Sequence, residues 1–473
     1  MKILFAASEA TPFAASGGLG DVVGSLPKAL AQKGVSCRVV MPLYSNIPGH
    51  FREKMSYICH FNVVLGWRNQ YCGVYQYNHD KVVFYFIDNE YYFKRDGMYG
   101  FYDEAERFAF FSKAILDIIE YIDYQPDIMH CHDWQTAMVP VYFNMFYRNK
   151  EKYSKIKTIF TIHNVEYQGK YGMEILQDVL GLPESEKGLM QYDGCLNMVK
   201  AAIESCDKLT TVSPTYSNQL QTPLFGCGLD REFINQRHKF CGILNGIDYE
   251  INDPKTDPLI YKNYSSQDIS GKDENRKKLC LEMDMSDDYR PVVGIVSRMV
   301  SHKGMDLIKL SLEHLICSGF KFVVLGSGEY VFESFFNDMH NRYPRQMAVY
   351  IGYNKPLSKK IYAGSDIFLM PSQSEPCGIS QLIALRYGAI PVVRETGGLK
   401  DTITDCSFGQ GNGFCFEKYN ADDMCGALFR AKNLYESRAV WELLVKHAMS
   451  CDFSWNESST KYVFLYQDVL GLK

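Results

Sequence analysis

Short apolar runs alternate with helical patterns along two long stretches of the chain. Each run has the length of a buried strand, and most runs lead into apolar residues repeated at helical spacing. Strands that alternate with helices in this way predict two parallel sheets, each covered by helices on both faces. The predicted strands are residues 3–7, 36–42, 127–131, 156–162, 208–212 and 241–244 in the first stretch, and residues 292–296, 322–325, 348–351, 367–370, 390–393 and 414–416 in the second.

Three segments depart from this alternation. Aromatic, alternating runs between residues 57 and 88 predict an inserted antiparallel meander. Residues 247–271 are rich in Asp, Asn, Pro and Ser and predict a linker, whereas residues 455–470 predict a helix without a strand of its own. The predicted organisation is an N-terminal domain at 1–250, a linker at 251–273, a C-terminal domain at 274–454, and a last segment at 455–473 that packs back on the N-terminal domain.

Composition narrows the class of protein. A chain of 473 residues is too long for one core, and 46% hydrophobic with 22% charged residues is ordinary for a globular protein. The net charge of -5 gives no indication of nucleic acid or a membrane as a partner. The start MKILFAASEA lacks the apolar core of a signal peptide, and no apolar stretch reaches membrane-spanning length. Fifteen cysteines without CxxC spacing indicate reduced thiols and a cytoplasmic protein.

Candidate chemistry in the first half follows the predicted strands. The stretch FAASGGLGDVVG, residues 13–24, forms a glycine-rich turn between a strand and a helix, which suits an anion because free amides point outward there. The turn lacks the lysine that usually accompanies such a loop, and a purely structural tight turn stays open as an alternative. His130, His132 and Asp133 follow another strand and could bind a metal. Since no second liganding cluster is evident, we predict the hydrogen-bonded rim of a sugar pocket instead.

In the second half, Arg298 and Lys303 follow a strand at the start of the next helix. Two cations in that position can neutralise a diphosphate without a metal ion, although solvated surface charge is the alternative. Glu375 precedes a glycine-containing helix start, and Gly397 and Gly398 open a further helix. Amides at a helix N-terminus suit phosphate oxygens, and a carboxylate nearby suits sugar hydroxyls. Taken alone, Glu375 could equally be a solvated loop carboxylate.

Collinear motifs along the whole chain resemble those of bacterial glycogen synthases and plant starch synthases. The resemblance implies an α/β protein of the GT-B fold, with two Rossmann-like doubly wound domains that face a central cleft. It also implies transfer of glucose from ADP-glucose to the non-reducing end of an α-1,4-glucan with retention of configuration, without metal or organic cofactor. The motifs are ASEATPFAASGGLGDVVGSLPKAL, MYGFYDEAERFAFF, HCHDWQTAM, TIHNVEYQG, TTVSPTYS, LNGID, SRMVSHKGMDL, AGSDIFLMPSQSEPCGISQ and RETGGLKDT.

The resemblance assigns roles to individual residues. His163 would contact the transferred glucose, Arg298 and Lys303 would hold the diphosphate, and Glu375 would hold glucose hydroxyls. We expect these four to be the catalytic residues. The further residues that the resemblance places around the donor or acceptor are Glu9, Ser16, Gly17, Gly18, Asp21, Asp133, Asn245 near the glucose, Tyr353 near the adenine, Cys377, Gly378, Ser380, Gln381, Thr396, Gly397 and Gly398.

One position departs from the family pattern. The first loop of the family usually reads Lys-x-Gly-Gly-Leu, and Ala15 stands here at the lysine position. We interpret the loop as holding the phosphate end of the donor, with Arg298 and Lys303 supplying the positive charge from the other domain. A preference for UDP-glucose and a non-catalytic glucan-binding role are the alternatives that this change raises.

Two further rivals lie among related enzymes. Many other GT-B transferases, including those similar to sucrose-phosphate synthase, carry a second glutamate eight positions after the first. Ile383 stands at that position here, which favours the glycogen synthase branch. A phosphorylase needs a lysine for pyridoxal phosphate in a chain that is usually much longer.

Overall fold

The computed structural model describes residues 1–472, except for the side chain of residue 408. The chain divides into two compact units. The first unit comprises Met1–Asn245 and the C-terminal segment from Trp455, and the second comprises Gly246–Ser454. The segment expected to be a linker therefore belongs to the second unit, and its last residues already lie in a helix that begins at Ser270.

The first unit is built on a nine-stranded sheet in which seven consecutive strands from one edge pair in parallel and the last two pair antiparallel. Buried apolar runs such as KILFA form its central strands, because both faces of the sheet are covered. A separate three-stranded sheet, formed by residues 170–171, 195–197 and 191–192, was not predicted. The strands are β1 (Lys2–Ala6), β2 (Ser36–Pro42), β3 (Ser56–Leu65), β4 (Arg68–His79), β5 (Val82–Asp88), β6 (Ile128–His132), β7 (Lys157–Ile162), β8 (Lys170–Tyr171), β9 (Gln191–Tyr192), β10 (Cys195–Asn197), β11 (Lys208–Thr211) and β12 (Phe240–Gly242).

Helices connect these strands and cover the sheet. The strand order is β12-β11-β7-β6-β1-β2-β5-β4-β3. The predicted meander is β3, β4 and β5, and β5 also pairs in parallel with β2, so the meander extends the main sheet. The helices are α1 (Gly18–Gln32), α2 (Gly49–Arg52), α3 (Glu90–Phe93), α4 (Glu104–Asp117), α5 (Met138–Tyr142), α6 (Ile175–Asp178), α7 (Lys187–Met190), α8 (Met198–Ser205), α9 (Pro214–Gln219) and α10 (Asp230–Asn235).

The second unit is a six-stranded parallel sheet with helices around it. Its strands are β13 (Val292–Val296), β14 (Lys321–Gly326), β15 (Met347–Ile351), β16 (Ile367–Met370), β17 (Ile390–Arg394) and β18 (Phe414–Phe416), in the order β15-β14-β13-β16-β17-β18. Its helices are α11 (Ser270–Glu282), α12 (Met305–Cys317), α13 (Tyr330–Arg342), α14 (Lys355–Gly364), α15 (Ser380–Arg386), α16 (Gly397–Thr402), α17 (Ala421–Glu436) and α18 (Arg438–Ser450).

The last helix, α19 (Trp455–Leu470), belongs to the first unit. The Tyr466 hydroxyl lies 2.9 Å from His130 Nδ1, and the Ser458 hydroxyl donates to the carbonyl of Leu244 (2.6 Å). Both contacts join α19 to parts of the first unit that are far away in sequence.

Both sheets contain a point where the strand order reverses between parallel strands. In the second unit the order of successive strands is that of a doubly wound sheet, and the reversal falls between β13 and β16. In the first unit the reversal falls between β1 and β6. Ligands of doubly wound sheets bind beyond the carboxyl ends of the strands at such a point. The loops that follow β1, β6, β13 and β16 are therefore where a site is expected.

Candidate active site

The loop after β1 is folded around one carboxylate. Glu9 is only 5% exposed, and its carboxylate accepts hydrogen bonds from the amide of Ser16, from the Ser16 hydroxyl (3.1 Å) and from the Tyr99 hydroxyl (3.1 Å). Burial raises the pKa of Glu9 above its usual value. Gly20 lets the loop close, because a Cβ there would come within 2.4 Å of the Ala15 Cβ. The closed loop leaves Ala15, Gly17 and Gly18 exposed at the start of α1.

Asp133 fixes the turn that follows β7. Its carboxylate accepts the amides of His163 (2.7 Å) and Asn164, and its own φ of 57° lies in the left-handed region that side chains rarely adopt. Burial raises the pKa of Asp133 to about 7. Strained backbone of this kind is held by its surroundings and is common at functional sites.

Three histidines form one cluster at the ends of β6 and β7, in which His130 and His132 are fully buried and His163 is partly exposed. His132 Nδ1 lies 2.9 Å from His163 Nε2, and the rings of His130 and His132 stack at 4.3 Å. His130 Nε2 also contacts the Thr161 hydroxyl (2.6 Å). Burial lowers the pKa of His130 and of His163 to about 3, so both imidazoles are neutral. Within residues 1–472, no group of three or more His, Cys, Asp or Glu side chains could hold a metal ion.

In the second unit, an ion pair joins the loops after β13 and β16. Lys303 Nζ donates to Glu375 Oε1 (2.9 Å) and Oε2 (2.7 Å), and the Ser372 hydroxyl donates to Oε2 (3.0 Å). Glu375 is 7% exposed, and the Lys303 side chain is 17% exposed. Arg298, two residues after β13, is exposed. The structure thus brings Lys303 and Glu375, which are 72 positions apart, into direct contact.

Backbone groups surround Glu375. The amide of Gly398, in the first turn of α16, donates to the Glu375 carbonyl (3.2 Å). Gly397 has a φ of +45°, and a Cβ at this position would lie 1.9 Å from the same carbonyl, so only glycine fits. The side-chain amide of Gln381 donates from Nε2 to the carbonyls of Cys377 (3.1 Å) and Gly378 (3.0 Å). These two hydrogen bonds fix the loop after Glu375.

Other predicted site residues follow strands or begin helices of the same two units. Asn245 follows β12, is 4% exposed, and its Oδ1 has no hydrogen-bond partner within the described residues. Tyr353 follows β15 and is 88% exposed. Asp21 is exposed in the first turn of α1, Ser380 is the first residue of α15, and Thr396 precedes α16 as its N-cap.

Sequence reasoning missed two residues that bind the predicted carboxylates. Ser372 lies three positions before Glu375, and this proximity was an available signal. Tyr99 lies 90 positions after Glu9, so only the motif around MYGFYDEAERFAFF could have indicated it. The pairing of Lys303 with Glu375 was also missed, because the two residues were assigned separate roles.

Solved structures share this architecture. The catalytic domain of starch synthase IV from Arabidopsis thaliana, bound to ADP and acarbose, superposes with a TM-score of 0.91 at 33% identity and covers 99% of both chains. A sucrose-phosphate synthase from Thermosynechococcus elongatus gives a TM-score of 0.63 at 14% identity and is similar in fold. Two α/β units and the full-length match to the starch synthase at 33% identity identify the chain as a glycosyltransferase of the GT-B fold.

Sequence comparisons narrow this class to a family. The starch synthase catalytic domain model matches residues 2–235, and the glycosyl transferases group 1 model matches residues 284–442. Glycogen synthases of Desulforamulus reducens and Clostridium acetobutylicum are 49% and 48% identical, over at least 99% of this chain and of their own. The glycogen synthase of Anoxybacillus flavithermus is 45% identical over 100% of this chain. The chain belongs to the glycogen and starch synthase family, as its motifs predicted.

Proposed function

We propose that this protein transfers glucose from ADP-glucose to the 4-hydroxyl at the non-reducing end of an α-1,4-glucan, with retention of the anomeric configuration. The observation that carries the proposal is the Lys303–Glu375 ion pair at the switch point of the second sheet, with exposed Arg298 in the same loop after β13 as Lys303. The full-length relatives named glycogen synthase support the glucan as acceptor, and the ADP-bound starch synthase structure supports ADP as the nucleotide. Family membership supports retention.

The cations of the second unit stabilise the departing diphosphate in this proposal. Breaking the bond between glucose and ADP builds negative charge on the leaving phosphate, and fixed positive groups at that position lower the barrier most. The Lys303 ammonium has three N–H donors, and Glu375 is its partner within the described residues. One donor stays available for a phosphate oxygen, and the exposed Arg298 guanidinium can bind a second oxygen. The reaction then needs no metal ion to neutralise the phosphates.

Glu375 orients the transferred glucose. An ionised carboxylate has about four lone-pair sites, and Lys303 and Ser372 use three of them. The remaining site can accept a sugar hydroxyl. The ion pair therefore couples the position of the sugar to the position of the cation at its leaving group, which is a geometric advantage for catalysis.

The first unit supplies neutral groups to the reaction. The stretch of residues 7–21 contains Glu9 and Asp21 but no Lys or Arg, so the amides at the start of α1 are its positive groups. We assign these amides to the donor and the imidazole of His163 to a hydroxyl of the transferred glucose. Ala15 removes a cation from the loop, and we assign its charge-balancing role to Arg298 and Lys303.

Measurement of nucleotide release tests the proposal. The purified protein should release ADP from ADP-glucose only when glycogen or a maltooligosaccharide is present, and UDP-glucose should be a poorer donor. Exhaustive chelation should leave the rate unchanged, and α-specific amylase should digest the added residues. Release of UDP alone would assign UDP-glucose as the donor. No release from either donor would contradict the proposal and favour the non-catalytic, glucan-binding alternative that Ala15 raises.

The proposed place of this reaction is the cytoplasm, where all fifteen cysteines, which are free thiols in the structure, stay reduced. In the described part of the chain, no helix combines the length and the apolarity that crossing a membrane requires.

A further inference from the structure

A buried nitrogen atom of His132 reveals how His163 is held. His132 is fully buried, and its Nε2 has no hydrogen-bond partner within the described residues. Its Nδ1 lies 2.9 Å from Nε2 of His163. Within the same residues, this contact is the one hydrogen bond that the imidazole of His163 makes.

Two neutral imidazoles can form this hydrogen bond in two ways. Either His132 Nδ1–H donates to His163 Nε2, or His163 Nε2–H donates to His132 Nδ1. In the second arrangement the hydrogen of His132 must lie on Nε2, where it would be a buried donor without an acceptor. Unpaired buried N–H groups are rarer in proteins than acceptors with a spare lone pair. The first arrangement leaves only an unused lone pair on His132 Nε2.

The surroundings of His132 keep its ring in this orientation. The ring stacks on Phe5 at 5.7 Å with an interplanar angle of 12°, and on His130 at 4.3 Å with an angle of 30°. Burial lowers the pKa of His132 and of His163, so each ring carries one hydrogen at neutral pH. Because each ring carries only one N–H hydrogen, the hydrogen bond between His132 and His163 has either His132 or His163 as its donor, and the two cases exclude each other.

We propose that His132 is a positioning residue that fixes His163 as the tautomer with its hydrogen on Nδ1. His163 then presents an N–H donor to an oxygen atom of the ligand, while its Nε2 is occupied by His132. The consequence for glucose transfer rests on the proposed function, but the tautomer itself does not. His132 and His163 lie in two separate sequence motifs, and only the structure shows which of their nitrogen atoms meet.

Histidine ¹⁵N NMR of the full-length protein tests the tautomer directly. The His163 signals, assigned as those missing from His163→Gln, should show a protonated Nδ1 and an unprotonated Nε2. In His132→Leu the fixed tautomer should be lost, because the donor is gone. A wild-type spectrum with the hydrogen on Nε2 would overturn the proposal, whether or not the protein transfers glucose, and even if His132→Leu failed to fold.

Kinetics of two variants test the positioning role. Asn carries its amide nitrogen on Cγ, as His carries Nδ1, so His132→Asn keeps a donor for His163. His132→Leu should lower kcat by about tenfold, the scale of one lost hydrogen bond at the reacting group, while KM for the donor changes little. His132→Asn should restore most of the rate. Equal loss in both variants would show that His132 has a packing role only, and full activity of His132→Leu would also contradict the proposal.

Discussion

The two units present opposite electrostatic environments at their switch points. In the first unit, burial shifts the pKa of ionisable groups towards their neutral forms: the pKa of His163 falls to about 3, and the pKa of Asp133 rises to about 7. In the second unit, Arg298 is exposed and Lys303 is paired with Glu375, so full charges are present. Burial, and not residue type alone, therefore determines which unit carries full charges at its switch point.

The neutral environment of the first unit has a structural origin. Tyr466 of α19 contacts His130, and Phe5 of β1 stacks on His132, so side chains from both ends of the chain desolvate the histidines. The ion pair of the second unit instead has solvent on one side, since Lys303 is partly exposed. A charged ligand therefore meets less desolvation cost there.

Removal of a cation from the second unit should have the largest effect. Arg298→Ala and Lys303→Ala should each lower kcat by about 10²-fold or more, the scale seen when one preorganised electrostatic donor is lost. Lys309→Ala is a matched control, because this exposed lysine lies on α12. Steady-state ADP release measures all three variants. Near-wild-type turnover of both Arg298→Ala and Lys303→Ala would contradict the assignment of the diphosphate site to the second unit.

Loss of the hydroxyl at Ser372 should have an intermediate effect. Ser372→Ala removes one hydrogen bond to the Glu375 carboxylate, and a hydrogen bond to a charged group contributes about 1.5–3 kcal/mol. We expect kcat/KM to fall by at least about tenfold. Ser358→Ala on α14, where the hydroxyl donates to the Lys355 carbonyl, should keep the wild-type value. If Ser372→Ala matched that control, the hydroxyl would not orient Glu375.

Restoration of the family's lysine should have a smaller effect. Because Arg298 and Lys303 already balance the diphosphate in our account, Ala15→Lys should contribute only about 1 kcal/mol and lower KM for ADP-glucose several-fold. A uniform gain in binding leaves kcat little changed. Initial-rate kinetics separate the two constants. An inactive wild type that Ala15→Lys activates by orders of magnitude would show that the loop lysine is indispensable.

The smallest expected effect concerns the stability of the first unit. The pKa of Asp133 is raised from 3.8 to about 7, so the folded state binds its proton more tightly than the unfolded chain. Stability therefore falls as the pH rises from about 4 to about 7. Between pH 6 and pH 8, wild type should lose about 1 kcal/mol more than Asp133→Asn, or a few degrees in Tm. If the Tm of the two proteins depended on pH in the same way, the raised pKa of Asp133 would be contradicted.

Much of the fold follows from the sequence, because buried parallel strands are continuous apolar runs. Each strand predicted in the two series appears within about two residues of its place, an ordinary uncertainty for element ends. The sheet of β8, β9 and β10 could not be predicted, since strands of two or three residues carry no detectable period.

Less of the site follows from the sequence. Loops that follow parallel strands contain predicted site residues such as Glu9, His163 and Glu375, as the sequence indicated, but the partners of these residues depend on contacts across the chain. His130 and Tyr466 are 336 positions apart, and Glu9 and Tyr99 are 90 apart. The electrostatic contrast between the units was also not predicted, because it depends on burial. The functional roles of the predicted site residues stay predictions until variants are measured.

Binding of ADP to two variants tests the contrast between the units most directly. Titration calorimetry should show that Arg298→Ala weakens ADP binding by about tenfold or more, with a weaker dependence on salt, because a charge-assisted contact is lost. His163→Ala should keep the Kd for ADP within about threefold of wild type while turnover falls, because a neutral imidazole does not balance phosphate charge. Unchanged ADP affinity in Arg298→Ala, or an equal loss of affinity in His163→Ala, would contradict the assignment of the diphosphate charge to the second unit.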